Sequence, residues 1–327
     1  MPVRQIESPE AKYLAATDIL IGDMSDINYE FLLFDRPIIL LANDWLRTNF
    51  PDIGIKTDIN ELEEAIERSI NNPLEYAEQR KEWLEKTIHK PFDNASERVL
   101  KVAISKCGYH KPNTVIIHGS SEVRKSNLKP LYEEALSQDM RAYFVSHAKR
   151  TRNRKEQIYF AAHFEDLKIH NGYKVHLDHG LKGQGTANVE MSKRDYLQKD
   201  FFPIINLHIT AGQIGDERTK MLLGPNSDRT AIGGYPKADH LNKLNTWENK
   251  KSVFKDLEFD DDKLLITYAP AGKQSYEKPG GSLGPEVIRK LDELSMEYGY
   301  NILVKLKYSK PNVFYRVLNK FRRCVRI

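Results

Sequence analysis

The run Val175-His-Leu-Asp-His-Gly-Leu-Lys-Gly-Gln-Gly carries an apolar strand straight into a turn holding His179, Lys182 and three glycines. Histidine suits a general base near neutral pH, and a neighbouring lysine neutralises phosphate. Gly180 lets the backbone approach a ligand closely. The plain alternative is a histidine that only packs beside a turn. His176, Asp178 and His179 do not make a metal set. Residues 176 and 178 point one way along a strand and 179 the other, and no further ligand completes them. The glycine spacing also lacks the helix and the acidic partner of a dinucleotide fingerprint.

A second constellation is Asp18-Ile-Leu-Ile-Gly-Asp-Met-Ser-Asp-Ile-Asn-Tyr-Glu-Phe. A buried strand ends at Gly22, the turn holds Asp23, Ser25 and Asp26, and a helix follows. Free N–H groups at a helix start, with Ser25 beside them, suit a phosphate. Capping by Ser25 or Asp26 accounts equally for these residue types. A third, Ala231-Ile-Gly-Gly-Tyr-Pro-Lys-Ala-Asp, reads as a hinge, a cleft wall or a tight turn at Gly234, Tyr235, Pro236 and Asp239. A fourth places Lys273, Lys305 and Lys307 at the ends of two expected strands, where they either join Ser25 in one cleft or stand solvated.

The elements that must position these residues alternate in type. Short β-rich apolar runs alternate with amphipathic runs of helix length, which predicts βαβ units on parallel sheets. Strands are expected over 18–22, 37–41, 114–118, 141–146, 173–177, 206–210, 229–233, 263–268 and 301–306. Helices are expected over 28–34, 59–71, 73–87, 128–138 and 283–298, with Asn60 capping the second. Residues 242–263 read as a connector. A break at 107–113 divides the chain, and the last unit stops after about two strands, too few for an independent sheet. The expected organisation is a half-domain over 1–107, a full domain over 111–245, and a linker with the other half-domain over 246–327. The two ends of the chain are expected to complete one domain.

Composition sets the outer bounds. The chain has 327 residues, 40% hydrophobic and 29% charged, with a mean hydropathy of −0.58. That is a globular profile with no transmembrane run and no apolar leader at the N-terminus. Two cysteines among 327 residues exclude a disulfide framework and fit a reducing cytoplasm. The net charge of +4 is unevenly spread. Residues 301–327 carry eight Lys or Arg and no acid, and 141–155 carry six and no acid. Such stretches suit anionic lipid or a phosphate-rich substrate, or form a solvated face. No stacking-aromatic motif supports nucleic acid.

Taken together the segments resemble the CDP-glycerol glycerophosphotransferase family, the teichoic-acid primases and polymerases. Asp18 to Asp26 is similar to its strand ending in Thr-Asp-Tyr-Ser-Ser, and Arg36-Pro-Ile-Ile follows at the right distance. His179-Gly-Leu-Lys resembles His-Gly-Thr-Pro-Leu-Lys, and Gly234-Tyr-Pro-Lys-Ala-Asp resembles Gly-Tyr-Pro-Arg-Asn-Asp. Tyr268-Ala-Pro and Val304-Lys-Leu resemble Tyr-Ala-Pro and Val-Lys-Leu-His-Pro. Three departures stand out. The last family motif comes first here, as in a circular permutant or a piece cut across tandem copies. Lys307 replaces the family's His, and Asp26 replaces its second Ser.

The resemblance implies a GT-B-like α/β fold of two Rossmann-like parallel-sheet domains facing a cleft. It implies a transferase that uses a CDP-linked donor and a membrane-linked or polymeric polyol-phosphate or saccharide acceptor, with no cofactor and no metal. His179 would take the acceptor proton, with Lys182 beside it. Asp23 and Ser25 would lie near the donor pyrophosphate, and Glu30 at the nucleotide ribose. The expected location is cytoplasmic, peripheral on the inner membrane face. A UDP- or GDP-sugar glycosyltransferase and a catalytically inactive fragment remain the alternatives.

Overall fold

The computed structural model of the chain describes residues 3–6, 11–23, 25–109, 114–119, 122–145, 157–162, 164–168, 171–177, 203–223, 228–270 and 285–305. In chain order the elements are β1 (Val3–Ile6), α1 (Ala11–Ala16), β2 (Ile19–Gly22), α2 (Ile27–Phe31), a 3-10 turn (Leu32–Phe34), β3 (Ile38–Leu41), α3 (Asp44–Asn49), β4 (Ile55–Thr57), α4 (Leu62–Asn71), α5 (Ala77–Thr87) and α6 (Ala95–Lys106). There follow β5 (Thr114–His118), α7 (Glu122–Ser137), β6 (Arg141–Val145), β7 (Gln157–Ala161), a second 3-10 turn (Phe164–Leu167), β8 (Tyr173–Leu177), β9 (Leu207–Thr210), α8 (Gln213–Leu223) and β10 (Thr230–Ile232). The described part ends with α9 (Pro236–Leu244), α10 (Trp247–Leu257), β11 (Leu265–Tyr268), α11 (Pro285–Tyr298) and β12 (Asn301–Lys305).

The chain divides into two compact units, one of residues 1–81 with 244–327 and one of residues 82–243. Each holds a six-stranded sheet, and every pairing in both sheets is parallel. The α/β class with two Rossmann-like parallel sheets is therefore as the alternating pattern predicts.

The first unit has the strand order β1-β12-β11-β2-β3-β4. Counted from β11, through β12 and then from β1 onward, this is the order 3-2-1-4-5-6 of a dinucleotide-binding sheet. The two ends of the chain thus fill one sheet. The strands β2, β3 and β11 are buried along their whole length, as parallel strands covered on both faces require. Ile21, Ile39, Ile266 and Ile302 pack with Leu62 and Ile66 of α4 and Leu291 of α11 on one face. Leu265 and Leu303 face the other side with Ala16, Val253 and Phe254. Polar bonds stitch the halves together. Asp18 accepts from the Leu265 amide at 2.8 Å and from Lys250 Nζ at 2.6 Å. Thr17 and Thr267 share a buried hydroxyl bond at 2.6 Å.

The second unit has the order β10-β9-β8-β7-β5-β6. Counted from β5 this is 2-1-3-4-5-6, a doubly wound order that reverses between β5 and β7. Helices α6 and α7 give Val99, Leu100, Leu128 and Leu131 to one face, against Val115, Ile158 and Val175. Leu167 and Ile205 cover Ile116, Tyr159 and Ala161 on the other.

Several expectations need correction. The first division falls at 81/82 and not after 107. The reason is α6, whose Val99, Leu100 and Ala103 belong to the core of the second unit. Residues 242–263 are not a connector: they contain α10, whose Thr246 side chain caps it by accepting from the Asn249 amide at 3.2 Å. Asn60 does not cap α4. That helix starts at Leu62 after Glu61, and the Asn60 amide instead donates to Asp58 Oδ1 at 2.8 Å.

Candidate functional site

In open parallel sheets, ligands collect outside the carboxyl ends of the strands where the strand order reverses. In the first unit that point lies between β11 and β2. Ile21 and Tyr268 are register partners, as are Tyr268 and Val304. The Ala269 amide continues the ladder to the Ile21 carbonyl at 2.8 Å. The turn Gly22-Asp23, the Ala269-Pro270 exit and Lys305 therefore end neighbouring strands on one edge. Asp23, Ser25, Asp26 and Lys305 share that edge, while Lys273 and Lys307 lie outside the described residues.

The turn after β2 is held tightly. Asn28 is fully buried and Asp23 nearly so, and Asn28 Nδ2 donates to the Asp23 carbonyl. A side chain at position 22 would collide with Asn28, so glycine is required there. Ser25 and Asp26 are half-buried. The Ser25 carbonyl accepts from Asn28 N at 3.2 Å, and the Asp26 carbonyl from Tyr29 N at 3.1 Å.

The expected helix start is weaker than the sequence suggests. Helix α2 has only five residues, and the Asp26 side chain makes no cap bond to it. So short a helix adds little field. Burial first, and then Asp26, push the Tyr29 phenol well above its ordinary value, so it stays protonated. Glu30 is buried within α2. Arg36, the other family-like position, acts structurally: it donates to the carbonyls of Ala15 at 2.7 Å and Thr17 at 2.6 Å, and to Asn245 at 2.7 Å.

In the second unit, His179, Gly180 and Lys182 lie outside the described residues. The strand that delivers them, β8, ends at the buried Leu177. The Gly234–Asp239 segment is described, and it serves a helix. Both Asp239 carboxylate oxygens are used at the start of α6, accepting from Ala95 N and Ser96 N at 2.8 Å each. This satisfies two of the amides that a helix start leaves open. Gly234 has φ +96, a conformation glycine alone adopts easily, and packs against Arg98 and Ala95. Pro236 opens α9, where a missing N–H costs nothing. Tyr235 is buried. Asp239 thus acts as a buried cap for α6, each carboxylate oxygen accepting one of the two amide bonds, and it also lines a cavity with Asn94, Ser96 and Asn242.

Sequence reading weighed His176 only as a metal ligand and passed over His118 and His208. His118, Ala161, His176 and His208 are successive register partners across β5, β7, β8 and β9. Partners in register share a face, so the three imidazoles form one row toward the carboxyl ends of these strands. His118 Nδ1 lies 2.9 Å from the Asp166 carbonyl. A carbonyl only accepts, so that nitrogen carries the proton and Nε2 is the basic one. No local motif announces the row, because register alone assembles it. Among the described residues, the grouping of carboxylates closest in geometry to a cation site is Asp260, Asp261 and Asp262, all exposed.

Residues 7–105 match the family model of CDP-Glycerol:Poly(glycerophosphate) glycerophosphotransferase. Two solved chains are similar to this one. One is a variant of the wall teichoic acid polymerase TagF, 17% identical, with a TM-score of 0.41, covering 78% of this chain and 67% of that one. No curated protein matches.

Proposed function

We propose, on the premise that residues 7–105 belong to the CDP-glycerol glycerophosphotransferase family, that the chain transfers a polyol-phosphate during cell-surface polymer synthesis. The donor is CDP-linked, glycerophosphate or a related group is transferred, and a hydroxyl of a membrane-linked or growing polymer accepts it.

The observation that carries this reading is the strand order of the first unit. The family-matched stretch supplies β2, β3 and β4. The far end of the chain supplies β11 and β12, and together they complete a dinucleotide-type order. The rotated arrangement of motifs therefore still yields a whole sheet with one reversal point. Ser25 and Lys305 stand on its carboxyl edge, where a pyrophosphate would sit.

In the reaction the acceptor O–H bond breaks and its proton passes to His179. The oxygen forms a bond to the phosphorus that carries the glycerol. The bond from that phosphorus to the nucleotide phosphate breaks, and CMP leaves with the electron pair. Lys182, Lys273, Lys305 and Lys307 oppose the charge that develops on the phosphates. Positioning and electrostatics supply most of the rate. Asp26 at the turn disfavours a pyrophosphate, which requires cations on the same edge to outweigh it. Among the described residues no helix is long and apolar enough to cross a membrane. Our reading places a membrane-linked acceptor on the cytoplasmic side, with the basic stretch 301–327 against anionic lipid.

Replacing the base tests the assignment. His179→Ala should abolish turnover while CDP-glycerol affinity is kept. Unchanged turnover would remove His179 from the mechanism.

A further inference from the structure

Asn28 lies in α2 and is fully buried. Its Nδ2 donates to the Asp23 carbonyl. A carbonyl only accepts, which fixes the orientation of the amide, with nitrogen toward Asp23 and Oδ1 on the other side. Oδ1 is sealed from solvent and has no hydrogen-bond partner among the described residues. It rests against Gly22, where a Cβ would meet the amide carbon at 3.1 Å and Nδ2 at 3.2 Å, with Oδ1 closer still.

An interior acceptor without a partner lowers stability, and such groups call for a reason. A leucine would fill the same space, in a helix whose other residues are all buried, without stranding an oxygen. What a leucine lacks is the donated Nδ2–H. The role of Asn28 therefore lies in that one bond.

The bond acts at the point where the chain leaves the sheet. Gly22 is the last residue of β2 in register with β3, opposite Leu40, and Asp23 is the first beyond it. Asn28 draws the Asp23 carbonyl inward. The Ser25 carbonyl accepts from Asn28 N at 3.2 Å, and the Asp26 carbonyl from Tyr29 N at 3.1 Å and Glu30 N at 3.3 Å. Three carbonyls of the turn are thus turned toward α2, two of them by Asn28. The Ser25 and Asp26 carbonyls are held by backbone amides, which any residue supplies. The Asp23 carbonyl is held by a side chain, so substitution can release it.

A carbonyl oxygen is the negative end of its peptide dipole. Released to the outer side of the turn, it would face an incoming pyrophosphate and repel it, next to the Asp26 carboxylate that already disfavours one. We propose that Asn28 is a positioning residue for the donor, which keeps the Asp23 carbonyl off the edge where the pyrophosphate is bound. This rests on the reading of that edge as the donor site. Asn28 touches no substrate and acts through the turn. As a neutral amide it does this without adding charge to the edge.

Calorimetric titration of the full chain with CDP-glycerol tests this on wild type, Asn28→Leu and Asn28→Asp, at several pH values between about 6 and 8.5. Urea unfolding of each protein shows that it is folded. Asn28→Leu cannot donate, and its Kd should be higher by about tenfold or more at every pH. Asn28→Asp donates only while its carboxyl is protonated, a state that burial extends above the ordinary carboxylate range. Its Kd should lie near the wild-type value at the acid end and climb toward that of Asn28→Leu as the carboxyl ionises. The other titratable groups carried by the turn, by α2 and by the adjoining strand ends are Asp23, Asp26, Tyr29, Glu30, Tyr268 and Lys305. All three proteins share them, so the ratio of Kd values isolates position 28.

A purely structural role would lower the unfolding midpoint and leave the Kd of the folded protein unchanged. Asn28→Leu binding as tightly as wild type would therefore overturn the proposal. So would Asn28→Asp binding as weakly as Asn28→Leu at the acid end, since shape and not the donated bond would then matter. Should Asn28→Leu fail to fold, Asn28→Asp decides alone: a ratio to wild type that climbs with pH supports the role, and one that stays constant overturns it. A wild-type chain that binds no CDP-glycerol would instead remove the proposed function, and this role with it.

Discussion

Tyr268 and Ile21 stand opposite each other on adjacent parallel strands, although one belongs to the C-terminal segment of the chain and the other to the N-terminal segment. Their pairing makes the turn after Gly22 and the exit after Tyr268 neighbours at the point where the strand order reverses. The polar groups that secure this junction are few and can be removed one at a time.

Asp18 is the first of these. Its side chain is 19% exposed and holds both Lys250 and the Leu265 amide. Asp18→Ala leaves that amide without its acceptor and removes the ion pair. We expect a loss of about 2–4 kcal/mol, read as a lower denaturation midpoint in urea. CDP-glycerol binding should weaken in parallel, because the reversal point is formed by the same two strands.

Asp239 offers a contrast. Its two bonds cap α6 in the second unit. Asp239→Ala should cost about 1–3 kcal/mol of stability, measured by urea unfolding. Donor affinity should be unaffected. A variant with intact stability and lost donor binding would return this residue to the ligand site.

Glu63 makes a pH-dependent tie between the two halves of the first sheet's covering helices. It accepts from Lys290 Nζ and from the Tyr298 hydroxyl, both at 2.6 Å. The Lys290 bond first, and the Tyr298 bond second, hold its carboxyl below the usual 4.5. A carboxyl depressed in the folded state adds stability that is fully present above its unfolded pKa and is lost as pH falls through the folded one. Stability should therefore fall with pH below about 4.5, and Glu63→Gln should flatten that part of the acid limb. The check is a set of urea unfolding curves from pH 3 to pH 7 on both proteins. An acid limb of the same steepness in the variant would show that the tie contributes nothing.

Much of this architecture was legible from local pattern. The buried runs at Ile19 and Ile38 read as strands because each is apolar throughout and ends in turn residues. The break near Cys107 was visible too, but its meaning was not. Local pattern sees a gap in the rhythm, whereas domain membership is decided by where Val99 and Leu100 pack. Residues 247–257 escaped as a helix because lysines and acids dilute their apolar face, where Val253 and Phe254 are buried and Leu257 packs partly buried beside them. β4 escaped because it is three residues long.

The site was less legible still. Ser25 and Asp23 could be named from a strand-turn-helix pattern. Asp239 could not be assigned its role, since its partners lie 144 and 143 residues away. The histidine row is invisible for the same reason: four strands must pair in one register before its members line up.

The most direct test of the central claim is a calorimetric titration of the purified chain with CDP-glycerol, with UDP-N-acetylglucosamine as comparator. It requires no knowledge of the acceptor. The account predicts saturable binding of CDP-glycerol alone, weakened about tenfold or more in Ser25→Ala, the equivalent of one hydrogen bond to a charged phosphate. Preference for the UDP-sugar, or no binding of either nucleotide, would contradict it.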